Sequence, residues 1–186
     1  MIDFGRRRKV LDGVDEGQMS DYDRELLYNL VIERKPTELF EVGFMLGGGS
    51  TYYITSALAE NRHGMLYSSD IDKECFDYVE GVYGGELVEL GKHVKFYLGD
   101  CLTVFQSIIN DLDSIDFVLL DGLNDAHETV SAYNMFVPKL KAGSVIALHD
   151  WCAEKCRLIK PILESDNSLT NIVASNDLGL SIWEVD

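Results

Sequence analysis

The sequence predicts an α/β domain, a doubly wound and mostly parallel sheet with helices on both faces. Three observations carry this expectation. Short apolar runs of strand length alternate with longer amphipathic segments along most of the chain. The runs are strongly apolar, most clearly over residues 115–120, as strands covered on both faces require. The chain is 186 residues long, the size of one ordinary domain, and shows no internal repeat, low-complexity tract or linker.

Residues 1–19 are polar, contain glycine and have weak periodicity. They read as an N-terminal arm or partly ordered lid ahead of a single domain, residues 20–186. Residues 20–34 form a helix, with Ser20 or Asp21 as its cap and Leu26, Leu27, Leu30 and Val31 as its apolar stripe. Residues 38–42 form a short buried strand, followed by a glycine-rich turn and a helix over 50–60. A strand at 65–69 and a helix at 73–82 come next, then a strand at 94–98 and a helix at 103–110. The fourth strand, 115–120, leads to a helix over 125–140 that ends near Lys141-Ala142-Gly143. A fifth strand at 144–148 precedes a helix at 154–164. Segments 170–174 and 180–185 are a final strand pair around the turn Asn176-Asp177-Leu178-Gly179. Pro36, Pro138 and Pro161 all fall at or near element edges.

Hydrophobic residues make up 46% of the chain and aromatics 10%, enough for a core and too many for a disordered chain. Sixteen Lys+Arg stand against 32 Asp+Glu, a net charge of −16. Such a chain repels DNA, RNA and anionic lipid at long range, so nucleic acid and membrane are not expected partners. It suits a cationic or neutral ligand or metal ions, with solubility as the plainer reading of the same charge. No apolar run approaches the roughly 20 residues of a membrane helix. The basic cluster Arg6, Arg7, Arg8 and Lys9 runs into Val10-Leu11-Asp12-Gly13, not into the apolar stretch of a signal peptide. It reads as a solvated arm or a small site for an anionic partner. Cys75, Cys101, Cys152 and Cys156 read as reduced thiols of a cytoplasmic protein, and Cys152 and Cys156 lack the CxxC spacing.

In parallel sheets ligands sit outside the carboxyl ends of the strands, so the chemistry is sought there. The first strand ends Glu41-Val42-Gly43-Phe44-Met45-Leu46-Gly47-Gly48-Gly49-Ser50-Thr51. Its glycines let a ligand approach the backbone, and Ser50 or Thr51 opens a helix whose first N–H groups favour an anion. Taking Gly47 and Gly49 as the first two glycines, a GxGxxG loop fails at Tyr52, and a Walker loop lacks its lysine. A tight structural turn is the alternative. The second strand ends in Asp70, an acceptor for ribose hydroxyls or a member of a solvated acidic loop. The third ends Gly99-Asp100-Cys101, where Asp100 can accept from a purine amine or cap a helix. The fourth ends Asp121-Gly122 and the fifth His149-Asp150-Trp151. Carboxylates thus follow successive apolar strands with a regularity that favours a functional rim.

These motifs, with Pro138-Lys139-Leu140-Lys141-Ala142-Gly143, resemble a class I S-adenosylmethionine-dependent methyltransferase over about residues 37–151. More narrowly they resemble the small O-methyltransferase-like group with Asp-Gly after strand four and His-Asp after strand five. The resemblance implies a Rossmann-like seven-stranded sheet with an antiparallel last strand. It also implies that Glu41 and Gly43 face the methionine part of the cofactor, with residues 47–50 (Gly47, Gly49 and Ser50 among them) on its carboxylate side. Asp70 would hold the ribose hydroxyls, Asp100 and the Cys101 backbone the adenine, and Asp121 the neighbourhood of sulfonium and substrate.

Some members of the group use a divalent metal held by acids after strands four and five, here Asp121 and Asp150 with His149 nearby, a set that suits Mg²⁺. In the other reading His149 is the general base and Asp150 is structural, and in the plainest reading both only cap the next helix. Group members carry a histidine shortly after the Asp-Gly, for which His127 or Asp125 is the substitute here. The short N-terminal region leaves one wall of a substrate site to be supplied, by a homodimer partner for example. The expected activity is O-methylation of a small hydroxylated molecule, such as a sugar or secondary metabolite. An NAD-binding oxidoreductase of similar fold and a non-catalytic cofactor-binding module are the alternatives.

Overall fold

Successive side chains of a strand point to opposite faces, so a buried central strand needs cover on both sides. The computed structural model, which describes residues 19–174 and 179–186, supplies that cover. Residues 1–18 of the expected arm, with its basic cluster, and most of the final turn lie outside the described residues. The strands are β1 (Glu38–Val42), β2 (Met65–Asp70), β3 (Val94–Leu98), β4 (Ile115–Leu120), β5 (Leu140–Leu148), β6 (Leu169–Val173) and β7 (Ser181–Val185). The helices are α1 (Asp21–Arg34), α2 (Ser50–Asn61), α3 (Lys73–Gly84), α4 (Val88–Gly91), α5 (Cys101–Asp111), α6 (Ala126–Phe136) and α7 (Ile159–Ser165).

The sheet has seven strands in the order β3-β2-β1-β4-β5-β7-β6. Strands β1 to β5 pair in parallel, and β7 runs antiparallel to both β5 and β6. The order reverses between β1 and β4, which puts a crevice above those two strands. On one face Leu39, Leu66, Phe117, Leu119, Val145 and Ile182 pack with Leu27 and Val31 of α1 and with Ile54 and Leu58 of α2. On the other, Phe40, Val118, Leu120, Ile146, Leu148 and Trp183 pack with Phe105 and Ile109 of α5 and Phe136 of α6. Alternate residues of β1, β4, β5 and β7 therefore serve opposite cores.

Several boundaries move for local reasons. Ser20, not Asp21, caps α1, accepting from the Asp23 amide at 3.1 Å. The expected helix 125–140 stops at Phe136 and tightens into a 3₁₀ turn over Val137–Lys139, because Pro138 has no N–H to continue the α pattern. Strand β5 begins at Leu140, four residues before its expected start at 144, through a register shift opposite β4. The Ser144 hydroxyl bridges that irregularity, donating to the Ile115 carbonyl at 2.7 Å and accepting from the Lys141 amide at 2.9 Å. The expected helix 154–164 divides into a 3₁₀ turn, Glu154–Cys156, and α7. Pro161 then falls in the first turn of α7, where a missing N–H costs nothing. The four cysteines are free thiols. No helix among the described residues is long and apolar enough to cross a membrane.

One backbone contact fixes the crevice. Gly43, at the end of β1 with φ +90°, and Gly122, after β4, touch directly: a Cβ on Gly122 would lie 2.5 Å from the Gly43 Cα. The Gly122 and Asp121 amides both donate to the Val42 carbonyl, at 2.6 and 3.1 Å. Backbone atoms cannot yield as a side chain can, so Gly122→Ala should lower the unfolding free energy by about 1–3 kcal/mol. Gly81→Ala, inside α3 where a Cβ meets nothing within 4 Å, should instead raise it, by about 0.5–1 kcal/mol. Urea denaturation of the two variants checks the contrast.

Candidate active site

The carboxyl ends of the central strands enclose a cavity of about 450 Å³, inside the range of roughly 300–1,000 Å³ typical of small-molecule clefts. Of the residues singled out from sequence, Gly43, Gly49, Ser50, Asp70, Asp121, His149 and Asp150 line it. Met19, Asn124 and Lys155 line it as well and had not been expected. Glu41, Gly47, Asp100 and Cys101 are not among the lining residues.

Glu41 lies beneath the cleft, fully buried. Its carboxylate accepts from the Ser50 hydroxyl at 2.6 Å, from Thr51 at 2.8 Å, and from Ser68. It thus pins the start of α2 to β1 and β2. Burial pushes its carboxyl up to about 7, against the downward pull of the three hydroxyls, and the nearby Asp121 charge adds to the rise. Gly47 packs outward, where a Cβ would meet Val79 and Tyr83 of α3 at 3.0 Å, and its carbonyl accepts from the Tyr83 hydroxyl at 2.7 Å.

Asp70 stands at the rim. One of its oxygens accepts from the Met45 amide at 2.8 Å and the other from the Asp72 amide at 3.1 Å, leaving lone pairs on both. Exposed Ile71 follows it in sequence, and exposed Leu98 is its register partner on β3. Asp100 caps α5, accepting from the Leu102 amide at 3.1 Å. The Cys101 thiol is pushed up to about 12, chiefly by burial, so it stays protonated and unreactive.

The ends of β4 and β5 meet in a charged cluster. His149 Nδ1 is 3.0 Å from Asp121 Oδ1 and 3.6 Å from Asp150 Oδ1. The Lys155 ammonium is 2.6 Å from the Asp121 carbonyl, 3.4 Å from Asp121 Oδ1 and 2.9 Å from Asp150 Oδ2. Burial alone would raise the Asp121 carboxyl, but the hydrogen bond and charge of His149, with Lys155, hold it below its ordinary value. Burial alone would lower the His149 imidazole; the bond and charge of Asp121, with Asp150, outweigh that and raise it, Lys155 opposing. Asp150 has φ 55°, left-handed backbone that aspartate tolerates better than most residues. The chain turns there instead of entering a helix, and the next helical turn is capped by neither His149 nor Asp150. The two candidates for the missing histidine are elsewhere: Asp125 caps α6, and His127 is exposed outside the cleft lining.

As a metal site the cluster is mixed. Donor atoms of Asp121, His149 and Asp150 lie within 4.8 Å of one another, a set chemically suited to a divalent ion. The Lys155 ammonium, however, already bonds to both carboxylates, so the residues as arranged do not fit a resident Mg²⁺. Sequence reading missed Lys155 because it lies in a segment expected to be helical. The available signal was charge: paired, partly buried carboxylates need a counter-charge, and this lysine follows Asp150 by five residues.

A family model described as a methyltransferase domain matches residues 40–151, most of the chain including every strand end of the cleft. This chain belongs to that methyltransferase family. No curated protein matches it with significance. Among solved structures, the methyltransferase is similar to an O-methyltransferase from Bacillus cereus in complex with S-adenosylhomocysteine, with TM-score 0.76, 16% identity, and coverage of 100% of this chain and 92% of the other. The O-methyltransferase TomG from Streptomyces achromogenes, in complex with S-adenosylmethionine, gives 0.71, 15%, 97% and 86%. The S-adenosylhomocysteine-bound methyltransferase PaMTH1 from Podospora anserina gives 0.74, 11%, 97% and 84%. At these identities the likeness is one of fold, that of the class I methyltransferases.

The buried carboxyl of this methyltransferase has a pH signature. Glu41 binds its proton up to about 7 when folded, against 4.5 for an ordinary glutamate. The folded state therefore holds the extra proton between those values, and stability declines as pH rises from the lower to the higher of them, by up to about 1.4 kcal/mol per pH unit, and levels off above. Glu41→Gln should flatten this decline in urea denaturation between about pH 5 and 8. Equal slopes in the two proteins would contradict the placement of the charge.

Proposed function

We propose that this methyltransferase moves the methyl group of S-adenosylmethionine to a hydroxyl oxygen of a small molecule. The observation that carries the reading is the row of carboxylates, Asp70, Asp121 and Asp150, around one crevice closed at the back by the start of α2. That rim suits a ligand bearing a cationic sulfonium on a nucleoside. The chain's residues fit such a ligand group by group. Gly49 caps α2 without a side-chain hydrogen bond, so the positive end of the helix faces the crevice and favours the ligand's carboxylate. Asp70 has lone pairs for the ribose hydroxyls, and Ile71 and Leu98 offer apolar faces beside it for a purine. Asp100, at the end of β3, is the acceptor for the purine amine. Asp121 supplies negative charge near the sulfur.

Bound there, S-adenosylmethionine supplies an electrophilic methyl carbon, which the acceptor oxygen takes as the S–CH₃ bonding pair returns to sulfur. His149 is the base that receives the hydroxyl proton. Its Nδ1 is engaged by Asp121, which fixes the tautomer with Nδ1 protonated and leaves Nε2 as the acceptor. Asp121 thus orients the imidazole and stabilises its charged form after proton transfer. Buried His149 also helps to exclude water from the reacting oxygen. No step needs a divalent ion.

The neighbouring folds from Streptomyces achromogenes and Bacillus cereus, which carry S-adenosylmethionine and S-adenosylhomocysteine, support this choice of ligand. An NAD oxidoreductase is not favoured, since Tyr52 stands where the dinucleotide loop needs its third glycine. A non-catalytic binding module would need Asp70 but not the His149–Asp121 pair. Calorimetric titration with S-adenosylhomocysteine should give one site per chain, and Asp70→Ala should weaken it by at least about tenfold, the loss of charge-assisted hydrogen bonds. No binding at millimolar ligand, or an unchanged affinity in Asp70→Ala, would overturn the reading.

A further inference from the structure

The cluster at the ends of β4 and β5 holds its own cation. We propose that the Lys155 ammonium occupies the cation position between Asp121 and Asp150 and keeps divalent metal out, so that this chain orders its acidic rim with a tethered charge.

Three features carry the inference. The first is saturation. An ammonium has three N–H donors, and Lys155 Nζ has three acceptors in reach: the Asp121 carbonyl at 2.6 Å, Asp150 Oδ2 at 2.9 Å and Asp121 Oδ1 at 3.4 Å. The second is burial: the lysine side chain is 10% exposed, so its charge is poorly screened and its place is set by packing of the turn Glu154–Cys156. The third is charge count. Two carboxylates and one ammonium leave a single net negative charge beside His149. A divalent ion entering the same space would invert that sign and face the ammonium at close range, whereas loss of the ammonium leaves two carboxylates and an imidazole suited to a divalent ion.

Lys155 is thereby a positioning residue. It holds the Asp121 carboxylate, which orients His149, and it ties the strained residue Asp150 to the end of β4. The metal-excluding role does not depend on the identity of the acceptor or on methyl transfer itself. Only the link to proton transfer rests on the function proposed above.

The test is Mn²⁺ binding by the full chain without any methyl donor, read from the electron paramagnetic resonance signal of free Mn²⁺. Wild type should show no site tighter than millimolar. Lys155→Ala should bind at least about tenfold more tightly, because two carboxylates lose their internal counter-charge, and Lys155→Ala/Asp150→Asn should lose the gain. Lys155→Met, closer in shape, serves if the alanine variant does not fold. Submillimolar Mn²⁺ binding by wild type that Asp150→Asn abolishes, or no gain in either lysine variant, would overturn the proposal. S-adenosylhomocysteine titration of the same samples reports the methyl-donor site separately, so the two readings fail independently.

Discussion

The contact between the Gly43 and Gly122 backbones is the constraint from which the site is built. It brings the loops after β1 and β4 together at the one place where the strand order reverses. With no side chain between them, the Asp121 and Gly122 amides can both bond to the Val42 carbonyl. The Asp121 carboxylate therefore starts from a backbone that cannot drift. From that fixed point the rim follows: β2 brings Asp70 to one side, and β5 brings His149 and Asp150 to the other.

Electrostatics then decide what the rim can do. A chain of net charge −16 gathers carboxylates at one crevice and must keep them from repelling the fold apart. It does so differently at each position. Glu41 is buried among hydroxyls and pushed up to about 7, so it keeps its proton to a higher pH than Asp121, which is held below its ordinary value. Asp70 is tied to two backbone amides. Asp121 and Asp150 share Lys155 and His149. The acids around the cavity thus differ in charge and freedom, and Asp70 keeps the lone pairs a ribose would engage.

Much of this was legible in the sequence, for identifiable reasons. The central strands are short apolar runs bounded by turn residues, so their existence and places along the chain could be read directly. The strand-end acids were legible because a parallel sheet places them on one edge. Other features depend on chain segments meeting in space. Lys155 reaches Asp121 only because Asp150 takes left-handed backbone and the following segment is a 3₁₀ turn, a combination that pattern alone does not reveal. The environment of Glu41 needs hydroxyls from α2 and β2 at once. Asp100, read either as a ligand contact or as a cap, caps α5 through one oxygen and accepts from the Thr103 hydroxyl at 3.4 Å through the other. The break between Cys156 and Ile159 and the early start of β5 were missed because helical periodicity ran on through the first and a Lys-Ala-Gly turn signal outweighed the register shift behind the second.

On the proposed function, the carboxylate rim holds a sulfonium nucleoside above the Gly43–Gly122 contact. A crystal structure of the protein with S-adenosylhomocysteine tests it most directly. Density for the nucleoside is expected in the cavity, with its ribose hydroxyls on Asp70, its carboxylate at the start of α2, and its sulfur on the Asp121 side. A nucleoside bound elsewhere, or with its ribose turned away from Asp70, would contradict it.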